Sequence, residues 1–380
     1  MFERYRPLLL TVMLVIIGGA LYYLTNWTSC CAQDATIPVT ATTTTTAMAP
    51  KPSIMKDTLY PRAKEIVDPT GFINIPSNFK IADNIGKRVI LIDFWTYSCI
   101  NCIRTQPYLN AWQEKYSDKG LLIVGVHTPE FEFEKKIENV QDAVTRESIT
   151  YPVVLDSNYG TWRAYQNSYW PRKYLIDIDG YIVYDHIGEG GYEETEHMIQ
   201  KALMERAERF GQAVDISSDI VNPADIQILD AMPRTPEMYF GSNRNAAYLG
   251  NGTASVDGVQ TFSVPATPTI DHVYFSGTWN VTSEFITSQG KGASIVLPYR
   301  AKSVYMVASS PKGAHLRVYI DGKPVSYGGA MAGADISGDD LISIKEERLY
   351  KIIESAAYGT HTLELRVIDG SLDAFTFTFG

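Results

Sequence analysis

The first long apolar stretch of the sequence lies at the amino terminus, where residues 8–24 carry no charged side chain. Arg4 and Arg6 precede it, and the next charged residue after it is Asp34. A run of this length is near the lower limit for a helix that crosses a membrane, and positive residues before it favour a cytoplasmic amino terminus. We therefore predict a single transmembrane helix within residues 1–27, with the rest of the chain on the extracytoplasmic side of the cell membrane.

The stretch that follows, residues 28–60, has no helical or strand period and contains the unbroken threonine run 42–46. Such a composition cannot bury a core, so we predict a flexible linker. Cys30 and Cys31 are adjacent, and we expect tolerated thiols there because neighbouring cysteines rarely form an unstrained disulfide. A cleaved signal peptide and a lipoprotein signal processed at Cys30 stay open as alternatives to the retained anchor.

Residues 61–212 alternate between strand and helix patterns. The sequence predicts buried strands at Val89–Trp95, 121–126 and 151–155, a hairpin over 173–184 with a turn at Asp179 and Gly180, and a charged helix over 193–210. After Cys102 the apolar spacing becomes helical. Strands that alternate with helices and end in an antiparallel hairpin predict an α/β domain, in which helices flank a mixed sheet.

The carboxyl-terminal part of the chain has a different pattern. Residues 213–268 show few clear elements, and we expect a connector there. Residues 269–380 are dense in short apolar runs, with one short helical run near 346–354. The predicted strands are 272–274, 293–297, 303–308, 316–320, 341–344, 361–367 and 374–379. This pattern predicts an all-β domain, an antiparallel jelly-roll sandwich.

The composition excludes several classes of protein. The chain has 380 residues, with 33 Lys and Arg against 43 Asp and Glu, which gives a net charge of −10. A nucleic-acid-binding protein needs a basic surface to displace counterions from phosphates, so we expect no nucleic-acid partner. Four cysteines in a chain of this length are too few for a fold held together by many disulfides.

The candidate chemistry is a CxxC motif formed by Cys99 and Cys102. It lies between a buried strand and the start of a helix, and free N–H groups at a helix start stabilise a thiolate. We therefore expect Cys99 to be the nucleophile in disulfide exchange, and Cys102, one turn later and more buried, to be the resolving cysteine. A redox-active Cys99–Cys102 disulfide carries two electrons itself, so no dissociable cofactor is expected.

The CxxC motif has two other interpretations. A structural disulfide stays open, although closing a loop of four residues gains little stability. A zinc site is disfavoured, because no second CxxC and no HxxxH supplies further ligands.

The residues around the motif resemble a known family. The sequence LIDFWTYSCINC, residues 91–102, is similar to the active-site strand and helix start of the thioredoxin superfamily. The insert 128–149 resembles the membrane-anchored TlpA and ResA type. The segments GVHTPEFEFEK, YWPRKYLIDIDG and HIGEGGYEETE are similar to the periplasmic carboxyl-terminal region of DipZ proteins, a resemblance that runs from about residue 68 to residue 380. The DipZ resemblance implies a carbohydrate-binding-module-like fold for the all-β domain predicted at residues 269–380, which we call the β-domain.

The thioredoxin resemblance implies roles for three further residues. Asp93, six residues before Cys99, matches the buried acid that assists proton transfer at the resolving cysteine, and a hydrogen-bonded structural acid is the alternative. Pro171 matches the cis-proline that lies opposite the CxxC and shapes the substrate groove. Pro107 matches the proline within the active-site helix.

Several other polar and aromatic residues are candidates for a functional role. We expect His127 with Glu130, and His186 with Glu189, to be exposed loop pairs, and assistance at the active-site face is the alternative. Four aromatic residues of the β-domain are candidates for stacking on sugar rings, with core or interdomain packing as the alternative. They are Tyr274, Trp279, Tyr299 and Tyr305.

These observations predict a membrane-tethered extracytoplasmic thiol–disulfide oxidoreductase acting on protein disulfides or dithiols. The resemblance implies that an electron-transferring membrane portion, which DipZ-type proteins carry, is replaced here by a separate partner of the CcdA or DsbD type that supplies or removes electrons. One alternative is a cell-envelope glycan-binding protein with an incidental CxxC. Another is a thiol peroxidase of the AhpC/TSA type, since Thr96 and Cys99 form a TxxC, although Ile92 occupies the position of that family's proline.

Overall fold

The structure is a computed structural model that describes residues 53–212, 215–223 and 234–380. The predicted membrane span, most of the predicted linker, and Cys30 with Cys31 lie outside the described residues. Within these ranges, no helix combines the length and hydropathy needed to cross a membrane. Both sheets described below belong to one compact unit.

The first sheet has six strands in the order β1-β4-β3-β2-β5-β6. Its strands are β1 (Gly71–Ile73), β2 (Val89–Trp95), β3 (Leu121–His127), β4 (Val153–Leu155), β5 (Arg172–Ile176) and β6 (Ile182–Ile187). Strands β2, β3 and β4 are parallel to one another, whereas β1, β5 and β6 pair antiparallel. The predicted mixed sheet is confirmed. The hairpin between β5 and β6 turns at Gly180, whose φ of 87° is a left-handed conformation that glycine adopts without strain.

Helices cover both faces of this sheet. They are α1 (Ser53–Leu59), α2 (Ile100–Tyr116), α3 (Ile137–Arg146), α4 (Gly160–Ala164) and α5 (Tyr192–Arg209). Alternate residues of β2 enter two different cores, because successive side chains of a strand point to opposite faces. Leu91 and Trp95 pack with α2, α3 and α5, while Ile92 and Phe94 pack on the opposite face near α4.

The second sheet is antiparallel. Its strands are β7 (Met238–Tyr239), β8 (Gly258–Phe262), β9 (Tyr274–Val281), β10 (Ile286–Ser288), β11 (Ser294–Ser309), β12 (Ala314–Ile320), β13 (Lys323–Pro324), β14 (Leu341–Ile344), β15 (Arg348–Gly370) and β16 (Asp373–Phe379). The main path runs β13-β12-β15-β11-β16-β10-β9-β8, with β14 on β12 and β7 on β16. Strand β11 also pairs with β9, so β9, β10, β16 and β11 form a closed circuit around an apolar core.

Two expectations for this region differ from the structure. Strands β7 and β8 lie within residues 213–268, which were expected to be a connector, and both pair into the sheet. The helical run predicted near 346–354 is wrong, because β15 begins there at Arg348 and pairs with β11. Long-range strand pairing outweighs the local helical spacing at that point.

The four aromatic residues considered as sugar-stacking groups are buried. Tyr274, Trp279 and Tyr299 lie in the interior of the β-domain, where no exposed ring face is available for a sugar. Tyr305 packs in the core that the β-domain shares with the first domain. The structure therefore supports the packing alternative for all four.

Candidate active site

The CxxC motif lies where β2 ends and α2 begins. Cys99 is the residue that caps α2, with φ of −82° and ψ of 117°, and its Sγ accepts a hydrogen bond from the backbone N–H of Cys102 at 3.4 Å. Both cysteines are free thiols, Cys99 half-buried and Cys102 fully buried. The sulfur of Cys99 thus lies beside a free helix-start N–H group, as the sequence predicts, and it is the more accessible of the two.

The second cysteine is held as a thiol. Burial raises the pKa of Cys102 well above its ordinary value, and the proximity of Cys99 and the charge of Asp93 raise it further. A buried thiol of this kind cannot attack a disulfide until a base removes its proton.

Asp93 lies in the centre of the first sheet and is completely buried. Neither of its carboxylate oxygens has a hydrogen-bond partner among the described residues. Burial raises the pKa of Asp93 to about 6, and the nearby ammonium of Lys173 opposes that shift.

Lys173 is the nearest opposite charge to Asp93. The two residues face each other across the β2–β5 pairing, and Lys173 Nζ lies 3.7 Å from Asp93 Oδ1. At that distance the two groups form an ion pair, but the separation is too long for a hydrogen bond. Lys173 is also completely buried, and its ammonium has no hydrogen-bond partner among the described residues. Sequence reasoning missed this lysine, because only the strand register places it opposite Asp93.

The two prolines implied by the resemblance lie in the first domain. Pro171 immediately precedes β5, and the Trp170–Pro171 peptide bond is cis. The preceding indole donates a hydrogen bond from Trp170 Nε1 to the carbonyl of Thr128 at 3.0 Å, which ties this loop to the end of β3. Pro107 lies inside α2.

Comparison with known proteins agrees with this geometry. A family model described as Redoxin matches residues 64–203. The thiol-disulfide oxidoreductase YkuV of Bacillus subtilis is 31% identical over 121 residues, which are 32% of this chain and 81% of YkuV. The chain belongs to the thioredoxin-like thiol–disulfide oxidoreductases.

Other similarities of this oxidoreductase extend into the β-domain. A family model described as a thioredoxin-like C-terminal domain matches residues 235–380. Protein DipZ of Mycobacterium bovis and of Mycobacterium tuberculosis is 36% identical over 315 residues, or 82% of this chain, and the chain spans 42% of the length of those relatives. A solved thioredoxin-like protein in the oxidized form is 27% identical, with a TM-score of 0.36 over 39% of this chain and 97% of its own. The resemblance inferred from the motifs is confirmed.

A second buried carboxylate of the oxidoreductase, Glu134, was missed by sequence reasoning. It lies in the short 3-10 turn Glu132–Lys135, inside the insert after β3. One of its oxygens accepts hydrogen bonds from the N–H and hydroxyl of Ser98 at 3.3 and 2.6 Å. The other accepts from the N–H groups of Glu130 and Phe131 at 2.5 and 3.0 Å. Burial raises the pKa of Glu134, and the Ser98 hydroxyl opposes that shift. Glu134 therefore holds the residue that immediately precedes Cys99.

The polar pair after β3 is not an exposed loop pair. His127 is buried between the rings of Trp95 and Tyr97, and burial lowers its pKa to about 3, so the imidazole is neutral. Glu130 accepts a hydrogen bond from Tyr239 Oη at 2.7 Å and forms an ion pair with Arg244 at 2.9 Å. His127 thus contacts the active-site loop, whereas the Glu130 side chain binds the β-domain.

The polar pair near β6 is likewise not free in solvent. Glu189 binds Arg104 of α2 through Nε at 3.0 Å, in an ion pair that is largely buried. His186 is half-buried, and burial lowers its pKa. The prediction of exposed loop residues is wrong for this pair too, because the loop after β6 folds onto α2.

Among the described residues, one group of three carboxylates has the spacing of a metal site: Asp177, Asp179 and Glu205. The ammonium of Lys56 lies within hydrogen-bond distance of all three, at 2.7, 3.2 and 2.5 Å. This lysine offsets part of the group's negative charge and connects α1 to the first domain.

Proposed function

We propose that the protein is a membrane-tethered extracytoplasmic enzyme that reduces or exchanges disulfides in other proteins through Cys99 and Cys102. The observation that carries the proposal is the asymmetry of the two thiols. Cys99 is accessible and its sulfur accepts a helix-start N–H, whereas Cys102 is buried and its pKa is raised. One cysteine is thus suited to attack and the other to resolve.

In the reductive direction, the Cys99 thiolate attacks one sulfur of a substrate disulfide. A mixed disulfide forms, and the other substrate sulfur leaves as a thiolate that takes up a proton. Asp93 then removes the proton of the Cys102 thiol, and Cys102 attacks Cys99 Sγ. The second substrate sulfur leaves, and the two electrons of the dithiol end in the substrate as two thiols while a Cys99–Cys102 disulfide remains.

Asp93 is suited to the proton step because its pKa of about 6 lies near neutral pH. Its carboxylate accepts no hydrogen bond from the described residues, so proton uptake breaks none of their contacts. Pro171, at the start of β5, is the residue that we propose shapes the groove for the substrate segment. A membrane dithiol carrier of the CcdA or DsbD type is the proposed source of electrons.

The test is insulin-disulfide reduction by the full chain, with dithiothreitol as the electron source. We expect catalysis in the wild type and none in Cys99→Ser. In a separate reaction without dithiothreitol, we expect pre-reduced Cys102→Ser to accumulate a covalent mixed disulfide with insulin. Cys30→Ser/Cys31→Ser is the matched cysteine control and should keep full activity. A wild type that reduces no disulfide but consumes hydroperoxide would overturn the proposal in favour of a peroxidase.

A further inference from the structure

Residues 130–134, which we call the strap, contact the active-site loop and the β-domain at the same time. The strap follows β3 and includes the first three residues of the 3-10 turn Glu132–Lys135, among them Glu134. Phe131, Phe133 and Glu134 are buried. The strap is therefore an interior connection between the two sheets rather than a surface loop.

On one side, the β-domain holds the strap by polar contacts. Tyr239 Oη donates to Glu130 Oε1 at 2.7 Å, and Arg244 pairs with the same oxygen at 2.9 Å. The backbone N–H of Glu132 donates to Glu284 at 3.2 Å. These three contacts come from separate parts of the β-domain, so they fix the strap in position and orientation.

Aromatic packing adds to these contacts. The ring of Phe375, on β16, lies 5.2 Å from the ring of Phe131 and 4.9 Å from that of Phe133, both edge-on. Such pairs contribute beyond the burial of their area. Phe133 in turn lies 6.0 Å from the ring of Tyr97, two residues before Cys99.

On the other side, the strap holds the residue next to the nucleophile. Both polar groups of Ser98 that can donate, the N–H and the hydroxyl, bind the same oxygen of Glu134. Hydrogen bonds to a buried carboxylate are strong and directional. They fix Ser98, and through the next peptide unit they restrict the backbone of Cys99, whose extended conformation lets its sulfur reach the Cys102 N–H.

We propose that Glu134 is a positioning residue for Cys99 and that the β-domain keeps Glu134 in place through the strap. The β-domain is then a structural part of the catalytic apparatus rather than a separate module. This inference rests on the proposed function only for its catalytic readout, since the reactivity of Cys99 can be measured without any substrate.

The experiment measures the rate of Cys99 alkylation by iodoacetamide across a pH series, in the full chain carrying Cys102→Ser. We expect Glu134→Gln and Phe375→Ala each to slow alkylation about tenfold, because small displacements of a reacting group are costly. The double variant should be no slower than Glu134→Gln alone, since both changes act through one contact path. Ser98→Ala removes the hydroxyl but keeps the backbone N–H donor, so it should slow alkylation less than Glu134→Gln does.

Leu316→Ala is the matched control, because it removes a buried side chain from the β-domain core without touching the strap. It should lower the stability of the β-domain and leave alkylation of Cys99 unchanged. Wild-type alkylation rates in folded Glu134→Gln and Phe375→Ala would overturn the inference, as would equal slowing in Leu316→Ala. Alkylation slowed as expected in a protein with no disulfide-exchange activity would sink the proposed function and leave the positioning role intact.

Discussion

Two carboxylates, Asp93 and Glu134, lie near the dithiol, and both are completely buried. They differ in what surrounds them. Glu134 accepts hydrogen bonds from four donors, whereas Asp93 accepts none from the described residues and has only the ammonium of Lys173 at 3.7 Å. The comparison indicates that burial alone does not define a role: we propose that the fully hydrogen-bonded Glu134 holds structure and that Asp93, without such bonds among the described residues, takes up a proton.

The secondary structure around each residue explains the difference. Asp93 lies in the middle of a central strand, paired with Gly125 on one side and Lys173 on the other, so neighbouring backbone N–H groups are used in the sheet. Glu134 lies in the first turn of a 3-10 helix, where backbone N–H groups have no partner within the turn. Asp93 thus has no hydrogen-bond donor among the described residues, whereas Glu134 accepts from Ser98 and from the N–H groups of Glu130 and Phe131, which immediately precede the turn.

Removal of Glu134 should have the largest effect. In Glu134→Ala the buried donors of Ser98, Glu130 and Phe131 lose their acceptor, and each unsatisfied buried group costs about 1–3 kcal/mol. We expect the free energy of unfolding in urea to fall by about 4 kcal/mol in total. Glu132→Ala, an exposed neighbour in the same turn, is the control and should change it by less than about 0.5 kcal/mol. Equal losses of unfolding free energy in Glu134→Ala and Glu132→Ala would show that the hydrogen bonds of Glu134 do not hold the structure.

The raised pKa of Asp93 should be visible in the pH dependence of the free energy of unfolding. Its pKa is about 6 in the folded protein against an ordinary 3.8, so the folded state binds the proton more tightly. The contribution to stability is complete below the lower value and is lost as the pH rises through the higher one. The unfolding free energy of wild type minus that of Asp93→Asn should therefore fall by roughly 2 kcal/mol between pH 4 and 7.5. A difference that stays flat would contradict a raised pKa.

The two carboxylates should act on different chemical steps. Reduced protein should react with Ellman's reagent, an aromatic disulfide, in two phases that are followed by the absorbance of the released thiolate. Attack by Cys99 releases the first thiolate, and attack by Cys102 on the resulting mixed disulfide releases the second. Asp93→Asn should slow the second phase about 100-fold and spare the first, as expected for loss of a general base. Glu134→Gln should instead slow the first phase. If Asp93→Asn slowed the first phase and Glu134→Gln the second, the two carboxylates would not have the roles proposed for them.

Lys173 should have the smallest effect. Its ammonium holds the pKa of Asp93 below the value that burial alone would give, so Lys173→Met should raise that pKa. The midpoint of the second phase would then move to higher pH, and the rate at pH 6 would fall by about threefold. Lys80→Met, on the exposed surface, is the control. An unchanged midpoint would show that the ion pair does not tune Asp93.

The parts that the sequence predicted correctly are those with a local pattern. Strand β2 is a continuous apolar run, and the CxxC follows it at the start of α2, so the position of the dithiol could be predicted without tertiary information. Asp93 required the family resemblance, because an acid inside an apolar run has no distinctive local pattern.

The parts that the sequence did not predict depend on long-range contacts. Glu134 is one of three glutamates between residues 130 and 134, and only the fold brings it to Ser98. Lys173 reaches Asp93 through the register of two strands that are eighty residues apart. Trp279 and Tyr299 were visible as aromatic residues, but their burial follows from sheet closure.

The most direct test is to alkylate the fully reduced wild-type chain with limiting iodoacetamide at pH 7 and to locate the label by peptide mass. The different burial of the two thiols predicts label on Cys99 and almost none on Cys102. Preferential labelling of Cys102, or equal labelling of both, would contradict the assignment of attacking and resolving cysteines.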